Sequence, residues 1–198
     1  MGFFDDLLRA FTGKRVSSTA TLTQHPRKAE WQYLEQLVRT NSVTTLYHFT
    51  DQANLDSIRR CGGLYSWEYC ENRQITVPRP GGNSLSRDLD RRRSLGNYVR
   101  VSFAKYTPMF YVARSDGRLM KPYILEIDPE VIFWRDTLFS DGNATANRAL
   151  IGDQLNDFKR VRFDVLRKPE WTSEDEKYYW QAEVLVKEHI PAAYIRNL

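Results

Sequence analysis

The spacing of apolar positions changes several times along the chain, and each change marks an element. Phe3, Phe4, Leu7, Leu8 and Phe11 recur at helical spacing, with acids early and Arg9 late, which predicts a helix over 3–11 ended by Gly13. Residues 14–27, rich in Ser and Thr and carrying Pro26, read as a linker. Trp31, Leu34 and Leu37 share one face of a second predicted helix, 28–40. Residues 1–40 therefore read as a helical extension with its linker, set ahead of a domain over 41–198.

The period then shortens. Thr45–Thr50 alternates and is β-prone, so a strand is expected there. Asp51 is a good N-cap for a helix through Arg60, with Leu55 and Ile58 inward and Gly62-Gly63 stopping it. Leu64–Tyr69 reads as a second strand or a turn. Residues 71–86 hold Pro78, Pro80, Gly81 and Gly82 and read as a long loop, a feature that is usually functional inside a compact domain. Further strands are expected at 98–103, 122–127, 131–133 and 180–187. Pro108 opens a short helix over 109–114, Asp141-Gly142-Asn143 is a turn, 148–158 a short helix and 168–177 a polar loop. Strands outnumber helices and several are short, which predicts an α+β fold on a mixed or antiparallel β core.

Composition bounds the function classes. With 198 residues, 41% of them apolar and 13% aromatic, the chain can build a core, and wholesale disorder is excluded. No apolar run approaches the roughly 18 residues of a membrane-spanning helix. The N-terminus lacks the basic-then-apolar pattern of a secretory leader, and Asp6 makes Gly2 a poor myristoylation site. Cys61 and Cys70 suit neither a disulfide framework nor a zinc site. A cytoplasmic protein without membrane contact is expected. The net charge of +4 is mild, but it is unevenly spread: Arg87–Arg93 reads Arg-Asp-Leu-Asp-Arg-Arg-Arg, and Lys159, Arg160, Arg162, Arg167 and Lys168 form a second basic segment. Such runs are as often solvated faces as binding sites.

Motifs remove further chemistry. No GxGxxG follows a strand, and there is no P-loop, HExxH or GxSxG. His25, His48 and His189 are too scattered for an obvious metal site. An enzyme here would work with acids, arginines and a single histidine. His48 stands in an apolar strand leading straight into a helix, a junction that presents backbone N–H groups to a ligand. Glu183 is a carboxylate among apolar residues, and Gln181 shares its face. The ordinary readings are a structural histidine and a solvent-facing glutamate.

Three blocks carry a resemblance. Leu46-Tyr47-His48-Phe49-Thr50 is followed by Asn54-Leu55, Ile58 and Gly62-Gly63-Leu64. Tyr98-Val99-Arg100-Val101-Ser102-Phe103 precedes Pro108-Met109, and Glu183-Val184-Leu185-Val186 precedes Ile190-Pro191 and Tyr194-Ile195. In that order, over roughly 44–196, they resemble the DarT-type DNA ADP-ribosyltransferase toxins. Residues 1–40 have no counterpart.

The resemblance implies an ADP-ribosyltransferase-like split β core with peripheral helices, NAD as co-substrate, no metal, and transfer of ADP-ribose to a base of single-stranded DNA. The nicotinamide–ribose bond breaks with oxocarbenium character, and such a centre needs a nearby carboxylate and a well-held ribose. By similarity that carboxylate is Glu183, which would also orient or deprotonate the acceptor base. His48, Phe49 and Thr50 would hold the ribose and the nicotinamide amide, with Ser57 and Tyr65 as further pocket members. An essential arginine follows the NAD-binding loop in this family; Arg87 and Arg92 are the candidates, for pyrophosphate or acceptor. The segment from about Ser140 to Gln181 would read the acceptor. Its Lys159, Arg160, Arg162, Arg167 and Lys168, interleaved with Phe158, Phe163, Trp171, Tyr178 and Tyr179, suit phosphates and stacked bases.

Tyr-Val-Arg-Val-Ser-Phe departs from the Tyr-Val-Pro-Phe-Tyr-Phe of thymidine-modifying members and resembles a branch linked to guanine, so thymine and guanine both stand. A cognate antitoxin, a macrodomain or NADAR-type hydrolase that removes the mark, is the implied partner. The alternatives are transfer to RNA or protein, since Gln181-x-Glu183 resembles the Q-x-E pattern of protein-modifying relatives, and a non-catalytic nucleic-acid-binding module.

Overall fold

A computed structural model describes residues 25–198; the helix expected over 3–11 and most of the expected linker lie outside them. The described chain runs α1 (Trp31–Thr40), β1 (Leu46–Asp51), α2 (Leu55–Arg60), β2 (Gly63–Tyr65), α3 (Trp67–Asn72), α4 (Ser84–Arg92), β3 (Tyr98–Ser102), α5 (Pro108–Ser115) and β4 (Pro122–Ile127). It continues with β5 (Leu138–Ser140), β6 (Ile151–Gly152), α6 (Leu155–Phe158), α7 (Phe163–Leu166), α8 (Glu174–Tyr179), β7 (Glu183–Lys187) and β8 (His189–Pro191).

Six strands form one sheet in the order β4-β1-β3-β7-β5-β6, with every neighbouring pair antiparallel, and β2 pairs with β8 in a separate ribbon. The fold is α+β, as the strand-rich pattern predicts, and the core is antiparallel. Alternation divides β3 and β7 into two faces. Val99, Val101, Val184 and Val186 point into the main core, joined by Phe139, Leu46, Leu125, Ile127 and Phe158. Burial of each such side chain is worth about 1.5–3 kcal/mol. Tyr98, Arg100, Ser102 and Glu183 occupy the opposite face, which is where polar groups can do chemistry.

The pairing of β1 is lopsided. It is matched to β4 from Leu46↔Ile127 to Asp51↔Pro122, but to β3 only at Tyr47↔Ser102. Beyond that pair β1 and β3 part, and the parting opens a cleft in the sheet. The β2–β8 ribbon closes one side of it. Gly63 is required there: its φ is +151°, and a Cβ would lie 2.3 Å from the Ile190 carbonyl oxygen.

Several elements differ from the sequence pattern. Helix α1 starts at Trp31 rather than 28, and it buries Leu34 and Val38 in the main core. Arg27 bridges Trp134 through the backbone. The described part of the expected extension is thus packed onto the domain, because Val38 continues the apolar stripe one turn past Leu34. The strand expected at 131–133 is a 3-10 helix, Pro129–Phe133, begun by Pro129 with Asp128 accepting from the Glu130 N–H. Leu64–Tyr69 divides into β2 and α3, with the Ser66 hydroxyl capping α3. The long loop is shortened by α3 and by α4, which Asn83 caps. Only one helical turn, α6, forms within 148–158, after the two-residue β6. The polar stretch 168–177 contains the start of α8, capped by Ser173. The strand expected from Trp180 begins at Glu183.

Candidate active site

The parting of β1 from β3 leaves a cleft of about 280 Å³, walled by β1, β2, β3, the start of β7, α4 and the loop over 75–83. Its inner wall is built on β1 and the turn after it. Asp51 accepts from the Ala53 and Lys121 N–H groups at 3.0 and 2.8 Å. Burial works against its charge, but these backbone donors hold the carboxyl below its ordinary range. Buried Asn54 donates to Thr50 Oγ1 at 3.0 Å and to the Arg79 carbonyl at 2.6 Å, and accepts from the Arg79 N–H at 2.8 Å. The loop is thereby tied to the strand end. Thr50 Oγ1 is used as an acceptor, so its own proton is left to donate.

His48 Nδ1 lies 2.8 Å from the Arg100 carbonyl. A carbonyl only accepts, so Nδ1 carries the proton and neutral His48 presents Nε2 as an acceptor. Burial holds its pKa down, against the opposing pull of that hydrogen bond. The Phe49 ring packs against Phe110 and beneath Gly81, where a Cβ would come within 3.2 Å of it. The Ser57 hydroxyl donates to the Thr76 carbonyl at 2.9 Å, so it holds the loop. Tyr65 is stacked between Tyr69 and His189, at centroid distances of 4.5 and 4.0 Å.

Two arginines hold the roof. Arg118 donates to the Gly81 carbonyl and pairs with Asp116 at 2.7 Å. Arg87 donates to the Gly82 carbonyl at 3.0 Å and places its guanidinium 3.9 Å over the Trp67 ring. Arg87 Nε and Trp67 Nε1 are both buried without a partner among the described residues. Such orphaned donors beside a cleft are what an anionic, nucleotide-like ligand would satisfy.

Glu183 stands at the far end, opposite Ser102 on β3 and Ser140 on β5. Its Oε2 accepts from the Ala144 N–H at 3.0 Å and lies 3.4 Å from Arg100 Nη1. Arg100 pairs in turn with Asp90 on α4. The Ala144 loop is itself anchored. Asp141 accepts from the Tyr178 hydroxyl at 2.6 Å and the Leu150 N–H at 3.0 Å, and Arg93 donates to the Ala144 carbonyl at 3.0 Å. Gly142 is pressed onto Tyr178, where a Cβ would lie 2.4 Å from the ring. Burial raises the pKa of Glu183, Arg100 and the Ala144 N–H pull it down, and Asp90 pushes it up again.

The fold therefore gathers His48, Phe49, Thr50, Ser57, Tyr65, Arg87 and Glu183 around one cleft. Arg92 is not among its walls and is exposed on α4. Lys159, Arg160, Arg162 and Arg167 are exposed and away from the cleft walls. Arg160 pairs with Asp157 and Arg162 with Asp164, both at 2.7 Å, Arg167 bonds Asn41 and Lys168 pairs with Glu176. Among the aromatics of that segment, Phe158 and Tyr178 are buried, and Phe163 packs against the main core. Tyr179 and Trp171 remain partly exposed. Sequence reasoning missed Arg100, Asp90, Asn54 and the Ala144 N–H. Arg100 had a signal, a charge alternating with valines just as Glu183 does; a backbone N–H has none. Among the described residues no group of three or more His, Cys, Asp or Glu is placed to hold a metal.

A cleft in an antiparallel sheet, with a neutral histidine on one lip and a largely shielded carboxylate beyond the other, fits the ADP-ribosyltransferase class that the sequence motifs resemble. Comparison narrows it. The family model described as "ssDNA thymidine ADP-ribosyltransferase, DarT" matches residues 47–198, and the chain belongs to that family, as an NAD-dependent DNA ADP-ribosyltransferase. Among solved structures, the chain is similar to Thermus sp. 2.9 DarT in complex with ADP-ribosylated ssDNA, at 22% identity and a TM-score of 0.62, covering 78% of this chain and 79% of that one. The same protein in complex with NAD+ matches at 23% identity, a TM-score of 0.55 and coverages of 77% and 79%. Thermosipho africanus DarTG in complex with ADP-ribose matches at 24% identity and a TM-score of 0.66; 77% of this chain spans 42% of that one. These likenesses show the fold. A search of curated proteins finds no match.

Proposed function

We propose that the protein transfers the ADP-ribose of NAD to a base of single-stranded DNA, using the cleft between β1 and β3. The observation that carries this reading is the Glu183 carboxylate, held at the inner end of a cleft whose other walls carry orphaned donors. The bond from the ribose C1′ to the nicotinamide nitrogen breaks, and its electron pair leaves with nicotinamide. Glu183 stabilises the cationic sugar that develops. A nucleophilic atom of the base forms the new bond to C1′, and Glu183 accepts the proton the base gives up.

His48 Nε2 accepts from a ribose hydroxyl, Thr50 donates to the nicotinamide amide, and Phe49 and Tyr65 supply apolar surface to the rings. Arg87 takes the pyrophosphate. The strand approaches over 159–179, where the surface ion pairs of Arg160 and Arg162 are weak enough to exchange onto phosphates beside Lys159 and Arg167, and Tyr179 and Trp171 offer faces to bases.

The family description favours thymine as acceptor. The departure of Tyr98–Phe103 from the thymidine-modifying form makes guanine the second reading. The similarity to DarTG supports a companion antitoxin that removes the mark, a macrodomain or NADAR-type hydrolase. No helix among the described residues is long and apolar enough to cross a membrane.

The test is incubation with NAD and mixed-sequence single-stranded DNA, RNA and protein acceptors, each followed by mass spectrometry. One added ADP-ribose on DNA, lost in Glu183→Ala, is expected, and fragmentation then names the base. Labelling confined to RNA or protein, or labelling retained by Glu183→Ala, would overturn the reading.

A further inference from the structure

We propose that Arg100 is a positioning residue for Glu183, fixed in place by Asp90, so that the seating of α4 over the cleft governs the carboxylate. Three observations carry this. Arg100 and Glu183 are diagonal neighbours on one face of the β3–β7 pair, because Ser102 is directly opposite Glu183 and Arg100 lies two residues from Ser102. Arg100 Nη1 lies 3.4 Å from Glu183 Oε2, while Nη2 is bonded to Asp90. Both ion pairs are shielded, with the Arg100, Asp90 and Glu183 side chains only 23, 21 and 16% exposed.

The chain Asp90–Arg100–Glu183 is thus a relay from helix to strand to carboxylate. Among the described residues Arg100 Nε is buried with no partner, and these two acids are the ones that hold the guanidinium. Helix α4 also carries Arg87 in the roof of the cleft. A ligand that engages Arg87 therefore acts on the element that fixes Arg100.

The other groups around Glu183 do not substitute for this cation. Those lining the same cleft, besides Asp90, are Tyr47 and His48 on β1, Cys61 after α2, Tyr65 on β2, Cys70 on α3, Arg87 on α4, Tyr98 on β3 and Arg118 beyond α5. Arg87 and Arg118 are committed to the roof carbonyls, and His48 is neutral. The Ala144 N–H contributes a hydrogen bond but no charge. Shielded by burial, Glu183 has Arg100 as its one cationic partner in an ion pair among the described residues.

The inference rests on Glu183 as the reacting carboxylate, but its test does not need turnover. The full chain is labelled with 13C at the glutamate carboxyls, and Glu183 is titrated by NMR, its signal identified by its loss in Glu183→Gln. Removing a neighbouring positive charge raises a carboxyl pKa by about one unit or more. Arg100→Gln is expected to raise the titration of Glu183 by that amount and to move the acidic limb of kcat upward with it. KM for NAD should stay within about threefold at a pH where Glu183 is ionised in both proteins, since Arg100 does not touch the roof carbonyls or Arg87. Arg100→Lys, which keeps the charge, should restore most of the titration and of kcat.

Unchanged titration of Glu183 in a folded Arg100→Gln would overturn the proposal. So would an Arg100→Lys variant displaced as far as Arg100→Gln. If the wild-type protein fails to label DNA while the titration moves as stated, the DNA-modifying reading falls and the coupling stands.

Discussion

The ring of His48 donates from Nδ1 to the main-chain carbonyl of Arg100 at 2.8 Å, taking the place of a backbone donor where β1 and β3 cease to pair. One contact thus stitches the mouth of the cleft and sets the tautomer that faces into it. Replacing His48 by Phe leaves that carbonyl without its partner, which should cost about 1–3 kcal/mol of stability by denaturant unfolding. It should also weaken NAD binding by about tenfold or more in titration calorimetry, a loss of about 1.4 kcal/mol.

The same residue predicts a pH dependence. Burial lowers the pKa of His48 in the folded protein, whereas the unfolded chain takes up its proton near pH 6.5. The unfolded state then binds more protons as pH falls, so the stability this residue contributes is intact above about 6.5 and declines below it. Unfolding free energies at pH 5.5 and 7.5 should differ less in His48→Phe than in wild type.

Glu183 runs the other way. Its raised pKa means that the folded state holds the proton more tightly, so the ionised carboxylate costs stability at neutral pH and the cost fades as pH falls. Glu183→Gln should abolish labelling by about 10²–10³-fold or more. It should nevertheless melt about 2–4 °C higher at pH 7.5, the shift that 1 kcal/mol produces in a domain of this size. That gain should shrink toward pH 5. A lower Tm at pH 7.5 would show that the carboxylate is structural.

Arg87 and Arg92 are five residues apart on α4 with opposite expectations. Arg87 stacks on Trp67 and faces the cleft, so Arg87→Ala should raise KM for NAD or lower kcat by about tenfold or more, in the range of a charge-assisted contact. Arg92→Ala should leave both within about twofold, as surface substitutions usually do. Nicotinamide release measures each.

The basic segment gives a salt-dependent prediction. If Arg162 and Lys159 contact phosphates, removing each by alanine lowers the slope of log affinity against log salt by about 0.7 on a single strand, with NAD binding unchanged. Fluorescence anisotropy of a labelled oligonucleotide between 50 and 200 mM salt reads this slope. An unchanged slope would leave Arg162 paired with Asp164 and Lys159 in solvent, and the segment without a part in DNA binding.

What the sequence determined by itself was set by local pattern. The alternation within 98–103 and 180–187 separates Val184 and Val186 from Glu183, since a strand's period is two, and it carried an unused signal for Arg100 between Val99 and Val101. Asp51 marks a helix start because a short side-chain acceptor satisfies free N–H groups within three residues; Ser66, Asn83 and Ser173 do the same for α3, α4 and α8, in segments whose pattern reads as turn or loop. The α+β class followed, and His48 and Glu183 were visible as polar residues in apolar strands. Elements short enough to be decided by their neighbours were not legible: 131–133 winds into a 3-10 helix, 148–158 keeps one helical turn, and α1 joins the core through Val38. The site's inner geometry belongs to the tertiary structure alone. Ala144 N–H, 39 residues before Glu183, reaches it only because Tyr178 and Arg93 pin its loop. Arg100 bridges Asp90 and Glu183 because the register of β3 on β7 sets it diagonal to Glu183 and α4 brings Asp90 to the same face. Contacts between segments distant in the chain depend on register and packing, and no local period encodes them.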